Sequence, residues 1–230
     1  MSQKILFLTG GAGEIGSAIK EKFSIENFLV IAPDRQEMNL EVTGQIEKYL
    51  ENVTSTVDVF IHCAGFNAPK TLENIAYSDL QKTMQINAFS FYQICQYLVK
   101  HHKIKSPGFI LGISSIYGFL ARPGRFSYSA SKQSLNSMIK TLALELGHKK
   151  IHVNTLSPGF VDTKMTRRNN DENTIAGFVQ KIPLGRLAQP SDIADVAYFL
   201  CSSQNKFITG QDIVADGGYS IGDYHIDSEP

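Results

Sequence analysis

Short apolar runs rich in β-branched residues recur along the chain, separated by stretches in which apolar residues have helical spacing. Near-continuous apolar runs are typical of parallel strands, because both faces of a parallel sheet are covered. The pattern predicts strands at Ile5–Thr9, Phe28–Ala32, Val57–Cys63, Phe109–Ser114, Ile151–Ser157 and Gln211–Ala215. It predicts helices at Ile15–Phe23, Ile46–Asn52, Ser78–His101, Ser127–Leu146 and Ile193–Ser202. This alternation predicts an α/β fold, a doubly wound parallel sheet with helices on both faces.

No internal repeat, low-complexity segment or Pro/Gly-rich linker divides the chain, so we expect one domain over residues 1–230. The least regular region is residues 164–190, which contains an apolar stretch at Ile175–Val179. This region predicts a loop-helix insertion beside a strand end, an arrangement typical of substrate-binding lids. Residues 219–230 are expected to form a polar C-terminal extension.

Composition narrows the possible partners. Lys plus Arg and Asp plus Glu both number 22, so the formal net charge is zero and nothing favours nucleic acid or an anionic membrane surface. No apolar run approaches the roughly 18 residues of a membrane helix, and the first residues do not resemble a secretory signal. The cysteines Cys63, Cys95 and Cys201 are far apart, without a metal-ligand spacing. We therefore expect buried thiols, no metal, and a reduced, cytoplasmic setting.

A glycine-rich turn joins the first predicted strand to the first helix. Gly10, Gly13 and Gly16 are spaced three apart, which suits a tight turn and close approach of the backbone to a pyrophosphate. Asp34 ends the second strand, 18 residues beyond Gly16, close to the spacing of a ribose-binding carboxylate. A carboxylate there favours NAD(H). The adjacent Arg35 could receive a 2′-phosphate, so NADP(H) stays open.

A second group of residues has the chemistry of a proton donor. Tyr128 and Lys132 lie at i and i+4 early in a predicted helix, so the phenol and the ammonium share a face. A free tyrosine has a pKa of about 10, and a nearby ammonium lowers it. Ser115 follows a strongly apolar strand, at the sheet edge where ligands usually bind. Together these residues predict acid/base chemistry on a carbonyl or alcohol oxygen.

With these motifs, the sequence resembles the short-chain dehydrogenase/reductase family over nearly its whole length. The resemblance implies a single-domain Rossmann fold, catalysis by Ser115, Tyr128 and Lys132, and a proton-relay water held with the help of Asn87. It places Thr163 at the nicotinamide carboxamide. The cofactor-binding residues that follow are Gly10, Gly13, Glu14, Ile15, Gly16, Asp34, Arg35, Asn39, Leu40, Cys63, Ala64, Gly65, Tyr128, Lys132, Pro158, Gly159, Val161 and Thr163.

The sequence departs from the family pattern mainly on the adenine side. The short branch usually has TGxxxGxG, whereas the spacing here is TGxxGxxG, with Glu14 in place of a glycine, as in the longer sugar-nucleotide members. The NNAG motif is replaced by His62-Cys63-Ala64-Gly65, and we interpret His62 as packing beneath the cofactor. The helix that usually lies between Asp34 and Asn39 is missing, and Asn39 replaces a common aspartate.

The substrate side is less sharply defined. Tyr117 follows Ser115 by two residues, Arg122 and Arg125 precede Tyr128, and Arg167 follows Thr163. We expect Tyr117, Arg125 and Arg167 to contact substrate, and the arginines to favour an anionic group such as a carboxylate or a phosphate. Solvated surface positions are the alternative for the arginines, and a packing role is the alternative for Tyr117.

The long helices also bear on assembly. Phe89, Phe91 and Tyr92 are either core residues or part of a subunit interface. The resemblance implies that this helix and the one containing Tyr128 build a homodimer or homotetramer.

These observations predict an NAD(P)-dependent oxidoreductase that transfers a hydride between nicotinamide and a carbonyl or alcohol substrate. One alternative of the same fold is an enzyme that modifies a nucleotide sugar or an acidic sugar, although the chain lacks a second domain for the nucleotide. Another is a regulator that binds NAD without turnover. Ser115, Tyr128 and Lys132 argue against the regulator, because binding alone does not require them.

Overall fold

Six parallel strands form the centre of the structure, a computed structural model that describes residues 3–224. The strands are β1 Lys4–Thr9, β2 Phe28–Ile31, β3 Val57–His62, β4 Ile104–Ile113, β5 Ile151–Pro158 and β6 Asp212–Ala215. Their order in the sheet is β2-β1-β3-β4-β5-β6, and every neighbouring pair is parallel. The predicted doubly wound parallel sheet is therefore confirmed. Residues 225–230 of the predicted C-terminal extension lie outside the described residues.

Eight α-helices are described around this sheet. They are α1 Glu14–Ile25, α2 Thr43–Glu51, α3 Tyr77–Met84, α4 Ser90–Lys100, α5 Phe126–Leu146, α6 Lys164–Asn169, α7 Glu172–Gln180 and α8 Pro190–Leu200. Helices α1 and α8 cover one face of the sheet, and α2, α4 and α5 cover the other. No helix within residues 3–224 is long and apolar enough to cross a bilayer.

The strands are apolar on both sides because each side meets a layer of helices. In β1, Leu6 and Leu8 belong to the core beneath α1 and α8, whereas Phe7 between them belongs to the opposite core. Alternate residues of a strand point to opposite faces of the sheet. The near-continuous apolar runs in the sequence therefore reflect burial on both faces.

The predicted helix Ser78–His101 is not continuous. A π-helical turn at Gln85–Phe89 separates α3 from α4. The wider turn changes the backbone hydrogen bonding, and the carbonyl of Ile86 accepts hydrogen bonds from the Ser90 hydroxyl at 2.8 Å and from the His62 ring at 3.1 Å. Such turns often occur at functional sites, and this one contains Asn87.

Residues 164–190 contain two short helices, α6 and α7, as the predicted loop-helix insertion requires. They have a small core of their own, in which Phe178 of α7 stacks on Phe160 at 3.8 Å between ring centroids. This core adjoins the carboxyl ends of β4 and β5. The insertion therefore lies beside the sheet edge at which ligands bind in open α/β folds.

Candidate active site

The glycine-rich turn after β1 brings the backbone close to the loop after β3. Gly10 has φ +73°, and a Cβ on it would lie 2.6 Å from the backbone nitrogen of Ala64. A side chain at this position would push the two loops apart. Gly13 caps α1 without a side-chain hydrogen bond. The amides of the first turn of α1 are therefore open to an anion such as a pyrophosphate.

A cleft of about 470 Å³ runs along the carboxyl ends of the strands from Asp34 to Thr163. All 18 residues that the sequence assigns to cofactor binding line it, and so does Ser115. Several other lining residues were not assigned from the sequence: Thr9, Ala12, Pro33, Met38, Glu41, Phe66, Lys82, Ile86, Ile113, Ser114, Met165 and Thr166. The length of the cleft and the open helix end fit a dinucleotide.

Asp34 lies at one end of the cleft, on the loop between β2 and α2. One of its carboxylate oxygens accepts hydrogen bonds from the backbone amides of Gln36 at 2.7 Å and Glu37 at 2.9 Å. These bonds fix the orientation of the side chain, as in an Asx turn. Arg35 and Asn39 line the same end of the cleft.

Ser115, Tyr128 and Lys132 meet near the middle of the cleft. Ser115 follows β4, whereas Tyr128 and Lys132 share one face of α5, and all three line the cleft. Burial raises the pKa of Tyr128 to about 12, while a hydrogen bond with Ser115 and the charge of Arg125 oppose that rise. The phenol is therefore protonated near neutral pH, ready to donate a proton.

The sequence predicts that the Lys132 ammonium lowers the pKa of Tyr128, but in the structure this ammonium binds a backbone carbonyl. The ammonium donates to the backbone carbonyl of Ile113 at 2.7 Å and lies 5.6 Å from the centre of the Tyr128 ring. Burial lowers the pKa of Lys132 to about 8. The cation that lowers the pKa of Tyr128 here is Arg125, which sequence reasoning had assigned only to substrate.

Arg125 is the most deeply buried charge on the substrate side, with 6% of its surface exposed. Its guanidinium donates to the side chain of Asn67 at 3.0 Å and lies 5.8 Å from the centre of the Tyr117 ring. Burial and the nearby Arg122 lower the pKa of Arg125. Within residues 3–224 no carboxylate pairs with it.

Tyr117 and Arg122 complete this side of the site. The Tyr117 ring lies 6.4 Å from that of Tyr128, and its hydroxyl accepts a hydrogen bond from Arg122 at 3.3 Å. The Arg122 guanidinium also stacks over Phe178 of α7, 4.9 Å from the ring centre. Residues from the loop before α5 and from the insertion therefore meet beside Tyr128.

Arg167 of α6 has carboxylate partners of its own. Its guanidinium forms a bidentate ion pair with Asp162 at 2.8 and 3.0 Å and contacts Glu172 at 3.4 Å, in an exposed position. These two carboxylates already satisfy the charge. Substrate contact by Arg167 stays a prediction, and these ion pairs argue against it.

Asn87 lies behind the cleft, fully buried in the π-helical turn. Its side chain accepts from the amide of Phe66 at 2.7 Å and donates to the Phe66 carbonyl and to the Ser131 hydroxyl, both at 2.9 Å. Asn87 thus connects the loop after β3 to the catalytic helix α5. These contacts hold the loop and the helix together, and the predicted role of Asn87 in a proton relay stays a prediction.

His62 lies beneath the cleft, as the sequence predicts, but it also joins two parts of the site. Its ring is fully buried and contacts the hydroxyl of Thr9 at 2.9 Å and the carbonyl of Ile86 at 3.1 Å. Burial lowers the pKa of His62 to about 3, so the ring is neutral. Its Nε2 therefore donates to the carbonyl and its Nδ1 accepts from Thr9.

The insertion reaches the glycine-rich turn at Glu14. The Glu14 carboxylate accepts the backbone amide of Lys164, the first residue of α6, at 2.9 and 3.0 Å. Thr163, just before it, caps α6 with its hydroxyl. The residue that replaces the family's glycine therefore connects the two sides of the cleft.

The three cysteines are free thiols. Cys95 and Cys201 are buried free thiols, as predicted. Cys63 is instead half-buried and lines the cleft, because it follows directly after β3. Among residues 3–224 no group of three or more His, Cys, Asp or Glu side chains is placed to hold a metal ion.

Comparisons with known proteins agree with this geometry. A family model of enoyl-(acyl carrier protein) reductases matches residues 32–220. The chain is 31% identical to a 3-oxoacyl-(acyl-carrier-protein) reductase of Thermotoga maritima, over 95% of this chain and 98% of that one. A short chain dehydrogenase family protein from Francisella tularensis superposes with TM-score 0.86 at 28% identity, covering 96% of this chain and all of that one. A 4-hydroxyisoleucine dehydrogenase mutant complexed with NADH and succinate gives TM-score 0.89 at 27% identity, with the same coverage.

Proposed function

Because the chain belongs to the short-chain dehydrogenase/reductase family, an assignment that its relatives and its fold establish, we propose a specific cofactor and substrate class for it. The protein is an NAD(P)-dependent oxidoreductase that acts on CH–OH and C=O groups. We propose that it prefers NAD(H) and that its substrate is an anionic carbonyl or alcohol compound. The supporting observation for the anionic substrate is Arg125, which is buried beside Tyr128 and pairs with no carboxylate within residues 3–224.

The proposed mechanism assigns one task to each residue. When bound, the nicotinamide cofactor supplies or accepts the hydride. Tyr128 donates its phenolic proton to the substrate oxygen during reduction and takes it back during oxidation. Ser115 hydrogen-bonds to Tyr128 and holds the same substrate oxygen. Lys132 keeps a positive charge beside the phenol ring, and Asn87 fixes α5 against the loop after β3.

The preference for NAD(H) rests on the position of Asp34 at the end of the cleft. Its second carboxylate oxygen makes no recorded hydrogen bond to residues 3–224, so it can accept from a ribose hydroxyl. The same negative charge repels a 2′-phosphate. The 4-hydroxyisoleucine dehydrogenase mutant, with 27% identity, was solved with NADH, which supports this choice.

We expect Asp34→Ala to weaken NADH binding about tenfold and to reduce or reverse the preference over NADPH, because one charge-assisted hydrogen bond is lost. Fluorescence titration with NADH and with NADPH measures both dissociation constants. Asp34→Asn is the matched control, since its amide oxygen still accepts the amides of Gln36 and Glu37 and only the charge is removed. A wild-type protein that binds NADPH more tightly than NADH would contradict the assignment of Asp34.

The anionic substrate follows from the cost of burying a guanidinium without a carboxylate. Buried charges are normally paired, yet the hydrogen-bond partner of Arg125 among the described residues is the amide oxygen of Asn67. The planar fork of arginine suits a carboxylate or a phosphate. An anion on the substrate would supply the missing partner, and the 4-hydroxyisoleucine dehydrogenase mutant was solved with a dicarboxylate, succinate.

A substrate screen that follows NADH absorbance tests the proposal. The panel contains keto acids and hydroxy acids, each paired with its neutral methyl ester, together with 3-oxoacyl thioesters and acidic sugars. We expect the charged member of a pair to have the higher kcat/KM. Preference for the neutral members would reject the anionic substrate but not the oxidoreductase activity. NADH binding without turnover on any compound would favour a non-catalytic regulator.

We also propose a cytoplasmic homodimer or homotetramer. Phe91 is a core residue, whereas Phe89 and Tyr92 are 43% and 50% exposed on the same helical segment, and Phe126 at the start of α5 is 54% exposed. These aromatic side chains favour a subunit interface. Light scattering on the purified protein measures the oligomeric state.

A further inference from the structure

Two cations lie at the same end of the cleft as Asp34. Arg35 follows Asp34 directly, and Lys82 comes from α3; both line the cleft. A 2′-phosphate carries a charge of about −1.5 to −2 near neutral pH and attracts such side chains. This pair of cations would by itself favour NADP(H), against the preference that Asp34 indicates.

Glu41 binds both of these cations. One of its carboxylate oxygens lies 2.6 Å from the Arg35 guanidinium and 3.1 Å from the Lys82 ammonium. Glu41 is only partly exposed, and its backbone amide donates to the Asn39 side chain at 3.0 Å, which holds the loop in place. The carboxylate is therefore fixed between two positive charges that come from different parts of the chain.

We propose that Glu41 is a specificity-determining residue that keeps Arg35 and Lys82 from binding a 2′-phosphate. This inference rests on the proposed preference for NAD(H) and explains how it persists with two cations in the cleft. A phosphate that reached Arg35 would have to displace Glu41 and then lie beside two carboxylates, Glu41 and Asp34. Exposed ion pairs add little to the stability of a fold. We therefore expect the contacts of Glu41 with Arg35 and Lys82 to affect which cofactor binds.

The test uses direct cofactor binding, which needs no substrate. In Glu41→Gln the side chain keeps its size but loses its charge, so Arg35 and Lys82 become available to the phosphate. We expect NADPH to bind about tenfold more tightly than to wild type, with NADH binding changed less than twofold. Because the gain is electrostatic, it should shrink as KCl is raised.

Glu37→Gln is the matched control. Glu37 is an exposed acid on the same loop, and its carboxylate accepts the backbone amide of Asp34 at 2.9 Å, a bond that glutamine can also make. The two variants lose the same charge, but only Glu41→Gln releases the cations. We expect Glu37→Gln to leave the ratio of the NADPH and NADH dissociation constants within twofold of wild type. An equal change in both variants would overturn the proposal in favour of a general charge effect.

A double variant tests whether Arg35 binds the 2′-phosphate once Glu41 has lost its charge. Adding Arg35→Gln to Glu41→Gln should remove most of the gain in NADPH binding. Unchanged NADPH binding in Glu41→Gln would reject the role of Glu41. A wild type that already prefers NADPH would reject the proposed NAD(H) preference instead, and the shift between wild type and Glu41→Gln would still measure Glu41 separately.

Discussion

Tyr128→Phe is expected to lower kcat by at least about 10²- to 10⁴-fold, the range attributed to a positioned acid or base. The phenol lines the cleft, forms a hydrogen bond with Ser115 and stays protonated at neutral pH, since burial raises its pKa to about 12. The phenylalanine ring keeps the packing and removes only the hydroxyl. NADH absorbance measures turnover, and fluorescence titration should show NADH binding within about twofold of wild type.

Tyr117→Phe is the matched comparison for this prediction. It removes a hydroxyl from a ring 6.4 Å away in the same part of the site, where the hydroxyl contacts Arg122. We expect kcat of Tyr117→Phe to stay within about tenfold of wild type. Turnover retained at that level in Tyr128→Phe would remove Tyr128 from the chemistry.

The sheet and the cleft could be predicted from sequence because local patterns determine them. Burial of a parallel strand on both faces produces a continuous apolar run, and the glycine spacing after β1 reflects the close approach of Gly10 to Ala64. Parallel strands place their carboxyl ends at one edge, so motifs distant in sequence meet there. The family resemblance added the positions that have no pattern of their own, such as Thr163.

The features that the sequence did not predict depend on contacts between distant residues. The π-helical turn around Asn87 interrupts a segment whose spacing is helical throughout, and its partner His62 comes from β3. Arg167 and Arg125 are both arginines beside a catalytic motif, yet Arg167 is paired with Asp162 in an exposed position, whereas Arg125 is buried and has no carboxylate partner in the described part of the chain. Only the three-dimensional structure distinguishes them. The pairing of Glu41 with Arg35 and Lys82 is a contact of the same kind.

Arg125→Gln is expected to lower kcat/KM for the anionic substrate about 100-fold, mainly through KM. Removing one partner of a buried charge pair typically costs about 2–5 kcal/mol, and the substrate anion would be that partner. The glutamine side chain can still donate a hydrogen bond to Asn67, as Arg125 does, so we expect the local structure to be kept. Steady-state kinetics with the charged substrate and its methyl ester measures the effect, and NADH binding should stay within about twofold of wild type.

The ester separates the two effects that Arg125 has on the site. Its charge also lowers the pKa of Tyr128, so Arg125→Gln should raise that pKa and move the rising limb of the oxidation rate, which follows formation of the phenolate, to higher pH for both substrates. Loss of binding should instead appear only with the charged substrate, because the ester offers no partner to the guanidinium. Arg168→Gln, the same substitution at an exposed arginine of α6, should leave the KM of both substrates unchanged. If Arg125→Gln weakened the acid and the ester equally, Arg125 would act through Tyr128 alone and the substrate would not need to carry a charge.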